Sequence, residues 1–106
     1  MDNQRVVITG LGTINAVARN ADDFAAALQS GNCGIGPVSV FDTAPFRTHT
    51  GGEVRAFIPE NQVPAAFYAK RMSRSDAMAM LATLEALEDA GLCPLPEDLR
   101  EETGVA

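Results

Sequence analysis

Tryptophan is absent from these 106 residues, tyrosine and histidine occur once each, and cysteine only twice. One histidine, His49, and no paired thiols leave no donor set for zinc, so no metal site is expected. Cys33 and Cys93 show no C-x-x-C spacing and are read as small apolar residues rather than as a disulfide. Basic residues are also scarce, eight against fourteen acidic ones, for a net charge of −6. That balance excludes nucleic acid or an anionic membrane as the partner of the whole surface, while leaving room for a local basic patch. No apolar run is long enough to cross a bilayer, and Met1-Asp2-Asn3-Gln4-Arg5 does not open a signal peptide. A cytoplasmic location is expected. The composition is otherwise that of an ordinary globular chain, 46% hydrophobic, with no repeat and no low-complexity segment.

The strongest local signal lies at residues 5–13. Val6, Val7, Ile8 and Thr9 are β-branched and favour an extended backbone. Their uninterrupted apolar character suits a strand covered on both faces, as in a parallel sheet within an α/β layer structure. Gly10 and Gly12 stop the strand and allow a tight turn or a close approach.

Further along, Asn20 is placed to cap a helix with Asp22 and Asp23 in its first turn, Phe24, Ala27 and Leu28 as its stripe, and Ser30-Gly31 as its end. Glycine and proline at positions 34, 36, 37 and 45 predict irregular backbone, with Phe41 and Phe46 anchoring it. A short strand is expected within residues 51–57 with Val54 inward, and a helical turn after Pro64 through Phe67 and Tyr68. The longest helix is expected from about Ser73 to Ala90, opened by a Ser73–Asp76 variant of the capping box and closed by Gly91 and Leu92. Ala77, Met80, Leu81, Leu84 and Leu87 form its stripe, and Met78, Ala79 and Ala82 extend the apolar surface nearly all round, which predicts burial. Thr103, Gly104 and Val105 read as the start of another strand. A single core strand cannot satisfy its own backbone or bury two faces. Further strands from another segment or chain are expected; the alternative is a small self-sufficient α+β domain.

Gly10-Leu11-Gly12 after a strand invites a dinucleotide reading, but the third glycine of G-x-G-x-x-G is Asn15 and the helix starts only near Ala21. The T-G-x-x-x-G-x-G variant fails at Ile14 and Ala16, so no cofactor is expected. His49 sits among polar loop residues, and neither cysteine has an evident base, so no catalytic residue is assigned. Cys33, beside Gly34 past a helix end, could carry moderate reactivity, but a packing role is the simpler reading. The cluster Lys70, Arg71 and Arg74 opposes the dipole at the front of the long helix, so helix stability alone does not account for it. It reads either as a solvated face or as a docking patch for an acidic or phosphorylated partner.

These pieces, in this order, resemble the amino-terminal part of a β-ketoacyl-acyl carrier protein synthase of the thiolase superfamily, nearest the type II elongating condensing enzymes. The residues that carry the resemblance are Arg5 to Gly12, Phe24 to Gly31 with Gly34 and Ile35, and Phe41-Asp42-Thr43. Gly52 to Phe57, Arg71-Met72, Ala86 to Leu92 and Thr103-Gly104-Val105 complete it. The resemblance spans essentially all of residues 1–106 and implies an α/β fold, of which this chain is an incomplete amino-terminal part: one core strand plus helices.

It further implies decarboxylative condensation of acyl and malonyl thioesters in fatty acid or polyketide synthesis, in a dimeric assembly, with acyl carrier protein as partner. The family's nucleophilic cysteine and two histidines match none of Cys33, Cys93 or His49, so this chain alone is expected to be inactive. Lys70 and Arg71 match basic positions that dock the carrier, and Arg74 is an added cation; a third basic position is Phe67 here. Ala16-Val17-Ala18 replaces the family's Pro-x-Gly, a departure that fits a divergent condensing enzyme, a polyketide-type ketosynthase or its non-catalytic chain-length partner.

Overall fold

The computed structural model describes residues 3–106. In chain order its elements are α1 (Ala21–Gln29), β1 (Ile35–Pro37), β2 (Thr50–Gly52), α2 (Pro59–Gln62), α3 (Arg74–Asp89) and α4 (Glu97–Arg100). Two 3₁₀ turns, Ala65–Phe67 and Ala69–Arg71, join α2 to α3.

Both longer helices form where their end signals stand. The Asn20 side chain accepts the Asp23 N–H at 2.8 Å, and Ser73 accepts that of Asp76 at 3.1 Å. At the other ends Gly31 and Gly91 both take φ +71°. Asn32 N–H then reaches the Ala27 carbonyl and Leu92 N–H the Leu87 carbonyl, at 3.0 and 2.8 Å, so each helix closes in a Schellman motif.

The expected strand at residues 5–13 lies outside any ladder among the described residues. Among the described residues no strand runs beside it, and Val6 and Ile8 stand 98% and 83% exposed. Its far end is clamped to α3 instead. Leu11 N–H donates to Asp89 Oδ2 at 3.0 Å and Thr13 N–H to Glu85 Oε2 at 2.9 Å. Gly10 and Gly12 permit this approach, because a Cβ on either would run into the Ala86 or Ala82 carbonyl.

The sheet that does form is a two-stranded antiparallel ribbon whose first strand lies in the stretch expected to be irregular, pairing Ile35 with Gly52, Gly36 with Gly51 and Pro37 with Thr50. The expected strand at residues 51–57 thus begins one residue earlier and ends by Gly52. Beyond it Glu53 turns inward, accepting the Ser39 and Val40 N–H groups at 2.9 Å each and the Ser39 hydroxyl at 2.7 Å. Ala56 at φ +51° then breaks the extended backbone. Thr103 to Val105 form no strand; the Thr103 hydroxyl caps the Leu99 carbonyl.

The buried cluster is small: Phe57, Val63 and Ala77, with Val54, Ala69, Met72 and Leu81 among the partly buried residues packed on it. Val54 is inward as expected. Within α3, however, only Ala77 is fully buried, so the helix that reads as wholly interior keeps most of its apolar surface open or half-open here. Leu28 of the α1 stripe is exposed. Phe41 and Phe46 are exposed too and pack edge-on against each other, centroids 6.0 Å apart, rather than anchoring their loop. The radius of gyration is 17.2 Å, against about 13 Å for a compact domain of this length. A self-contained small α+β domain does not fit those dimensions.

Candidate functional site

The residues from α2 to the start of α3 build the most distinctive surface. Pro59 opens α2 at its first position, where the missing N–H costs nothing. Val63, buried, ties the end of α2 to the core. Pro64 starts the first 3₁₀ turn, and Tyr68 joins it to the second in the left-handed conformation, φ 53° and ψ 59°. Met72 returns to extended backbone before the Ser73 cap.

This route separates the three cations grouped by sequence. Lys70 and Arg71 lie exposed on the second turn, and the Arg71 guanidinium stands 5.7 Å from the Tyr68 ring centroid. Arg74 is half-buried and faces inward. It donates to the Phe57 carbonyl at 2.8 Å and also to that of Val54, with its guanidinium 5.2 Å from the Phe57 centroid. Arg74 therefore fastens the loop before α2 onto the front of α3. At the same end, the Ser73 hydroxyl first and the Ser73 N–H second hold the Asp76 carboxyl below its ordinary range.

The second constellation is acidic and escaped sequence reading. Glu85 receives Thr13 N–H on one oxygen and Ala21 N–H on the other, the latter at 2.7 Å. One carboxylate thus joins the extended segment to the free amides at the start of α1. Glu85 and Asp89, four apart, share a face of α3; the spacing was visible, but their backbone partners, Thr13, Ala21 and Leu11, are far away in sequence.

The remaining candidates do not converge on chemistry. Cys33 and Cys93 are free and exposed, not buried as their packing role predicted. His49 is exposed, with Nδ1 3.1 Å from the Thr43 hydroxyl. Among the described residues no group of three or more His, Cys, Asp or Glu side chains could hold a metal ion. Among the described residues no helix is long and apolar enough to cross a membrane.

The site's framework is thus a long helix clamped to an extended segment that no described strand pairs, beside a cation-bearing turn. Residues 3–106 match the family described as "Beta-ketoacyl synthase, N-terminal domain". The chain belongs to that family. It is 37% identical over 92 residues to the 3-oxoacyl-[acyl-carrier-protein] synthase 2 of Synechocystis sp., covering 87% of this chain and 22% of that protein. To the chloroplastic 3-oxoacyl-[acyl-carrier-protein] synthase I of Hordeum vulgare it is 34% identical over 89 residues, 84% of this chain and 19% of the relative. Among solved structures, the ishigamide ketosynthase/chain length factor superposes with TM-score 0.67 at 34% identity, over 87% of this chain and 22% of that one. The fold is thus that of a thiolase-like ketosynthase amino-terminal domain, and the chain spans about a fifth of the length of these relatives.

Proposed function

We propose that this chain is the amino-terminal part of a β-ketoacyl synthase acting in fatty acid or polyketide synthesis in the cytoplasm. The reaction is decarboxylative condensation of acyl and malonyl thioesters on acyl carrier protein, by a dimeric enzyme. The observation that carries the reading is the family match over residues 3–106. In this assembly the exposed 5–13 segment is a core strand whose neighbours come from another segment or chain, and the open faces of α3 are covered with it. Lys70 and Arg71 dock the acidic carrier, while Arg74 holds the turn that presents them. The nucleophilic cysteine is neither Cys33 nor Cys93.

Reversing the patch tests the docking role. In the complete synthase, Lys70→Glu with Arg71→Glu weakens carrier-protein binding, most at low ionic strength, without lowering the unfolding temperature. Unchanged affinity at low salt would sink the role.

A second reading, the non-catalytic chain-length partner of a ketosynthase, draws support from the likeness to a ketosynthase/chain length factor and from Ala16-Val17-Ala18. Labelling the complete protein with a radioactive acyl thioester separates the two. A synthase carries label on a cysteine outside residues 1–106, whereas a chain-length partner carries none.

A further inference from the structure

The segment that leaves β2 is held from two sides while carrying a strained residue. Ala56 sits at φ +51°, a left-handed conformation that favours glycine and costs any residue with a Cβ. Such a conformation persists only where its surroundings impose it, and here the carbonyls around it are pinned. Arg19, just ahead of α1, donates to the Arg55 carbonyl and, at 3.2 Å, to Gln62 Oε1. Arg74, at the start of α3, donates to the Val54 and Phe57 carbonyls through different nitrogens. One planar fork therefore bridges across Ala56. The Phe57 ring, 4% exposed, has its centroid 5.8 Å from the Arg19 guanidinium and 5.2 Å from that of Arg74.

We propose that residues 54–57 form a sprung strap: Arg19 and Arg74 latch it shut against the strain at Ala56, and weakening either arginine lets it open locally. The device stands apart from the docking role of Lys70 and Arg71.

The opening unit has bounds on both sides. Before it, Glu53 is occupied with the Ser39 and Val40 amides, bonds that involve neither arginine of the latch. After it, Pro59 begins α2. Between these bounds the strap is what ties the β1–β2 ribbon to the front of α3: the Arg55 side chain reaches the Pro37 carbonyl of β1 at 2.9 Å, and its own carbonyl is the one Arg19 holds. Opening lets Ala56 return to an ordinary negative φ, withdraws Phe57 from its cluster with Val63 and Ala77, and uncouples the ribbon from α3. Strain released on opening sets the strap apart from a relaxed loop held by the same bonds, because it lowers the cost of the open state.

Trypsin reports the opening at the strap itself, since cutting after Arg55 requires the left-handed segment to unwind. In the complete synthase the rate of that cut is followed by mass spectrometry and divided by the rate for a peptide of residues 50–60 with the same substitution. Arg19→Lys and Arg74→Lys keep the charge but lose the fork, and each should speed the cut about tenfold. Ala56→Gly, free of the left-handed penalty, should slow it about threefold. Lysine variants cut at the parent's rate would overturn the latch. Ala56→Gly cut as fast as the parent, or faster, would overturn the spring even if the lysine variants open. Acceleration with the full urea dependence of global unfolding would show that the strap is no local unit. So would lost amide-exchange protection at Ser39 and Val40 in the lysine variants, because the Glu53 contacts lie outside the strap.

Discussion

Two glutamates far apart in the chain do the same work on backbone amides. Glu85 accepts the N–H groups of Thr13 and Ala21 from α3, and Glu53 accepts those of Ser39 and Val40 from the end of β2. Hydrogen bonds to a charged group each contribute about 1.5–3 kcal/mol, and a half-buried N–H left without its acceptor adds a penalty. Glu85→Ala should therefore destabilise the complete protein by at least about 1.5 kcal/mol, and Glu85→Gln, which keeps one good acceptor, by less; chemical denaturation of both variants measures the difference. Glu53 adds a pH signature. The Ser39 hydroxyl, then the Ser39 N–H, with Val40 N–H and Arg55 assisting, hold its carboxyl below the ordinary value despite the opposing effect of burial. A depressed folded-state pKa means stability that is fully present near neutrality and disappears as pH falls through the ordinary carboxylate range to the folded value. The stability gap between parent and Glu53→Gln should accordingly be widest near pH 7 and shrink steadily towards pH 3. A gap that stays constant would show that the carboxylate's charge is not what the Ser39 and Val40 amides select.

Helices were legible because their instructions are local. Asn20, Ser73, Gly31 and Gly91 each act within one turn, and α1 and α3 begin and end within a residue of where those signals stand. The Ser73–Asp76 box is reciprocal, with the Asp76 carboxylate accepting Ser73 N–H at 3.0 Å in return. Ser73→Ala should cost about 0.5–2 kcal/mol, and because Asp76 is also held below its ordinary pKa, the loss should shrink as acid protonates that carboxylate. Thermal unfolding at pH 7 and pH 3 checks both. The ribbon of β1 and β2 was legible only in part, since Gly36, Gly51 and Gly52 carry no β-propensity and their pairing is settled by long-range backbone contacts. For the site, sequence grouped Lys70, Arg71 and Arg74 into one cluster, which the structure divides. It could not see that a left-handed Tyr68 turns the first two outward while Arg74 reaches back to the Val54 and Phe57 carbonyls.

At the scale of the molecule, the sequence signals that look least satisfied are the most informative. Val6 to Thr9 read as a doubly covered strand and α3 as an interior helix, yet the first is exposed and the second half-open. Hydrophobic pattern reports the environment a segment is built for, and these patterns describe layers that the described residues do not themselves supply. Leu84, partly exposed on α3, makes the point measurable. In the proposed synthase, whose further strands would cover that face, Leu84→Ala should cost about 2–5 kcal/mol, the range for a leucine removed from a packed core. In residues 1–106 produced alone, the same substitution removes far fewer contacts, and the unfolding transition should be broad, with a small denaturant slope to match the small core of Phe57, Val63 and Ala77. Measuring Leu84→Ala in both contexts turns the mismatch into a number. Equal costs in the two would mean that this helix is already packed as it will ever be, and that the exposed 5–13 segment needs no neighbouring strands to hold it.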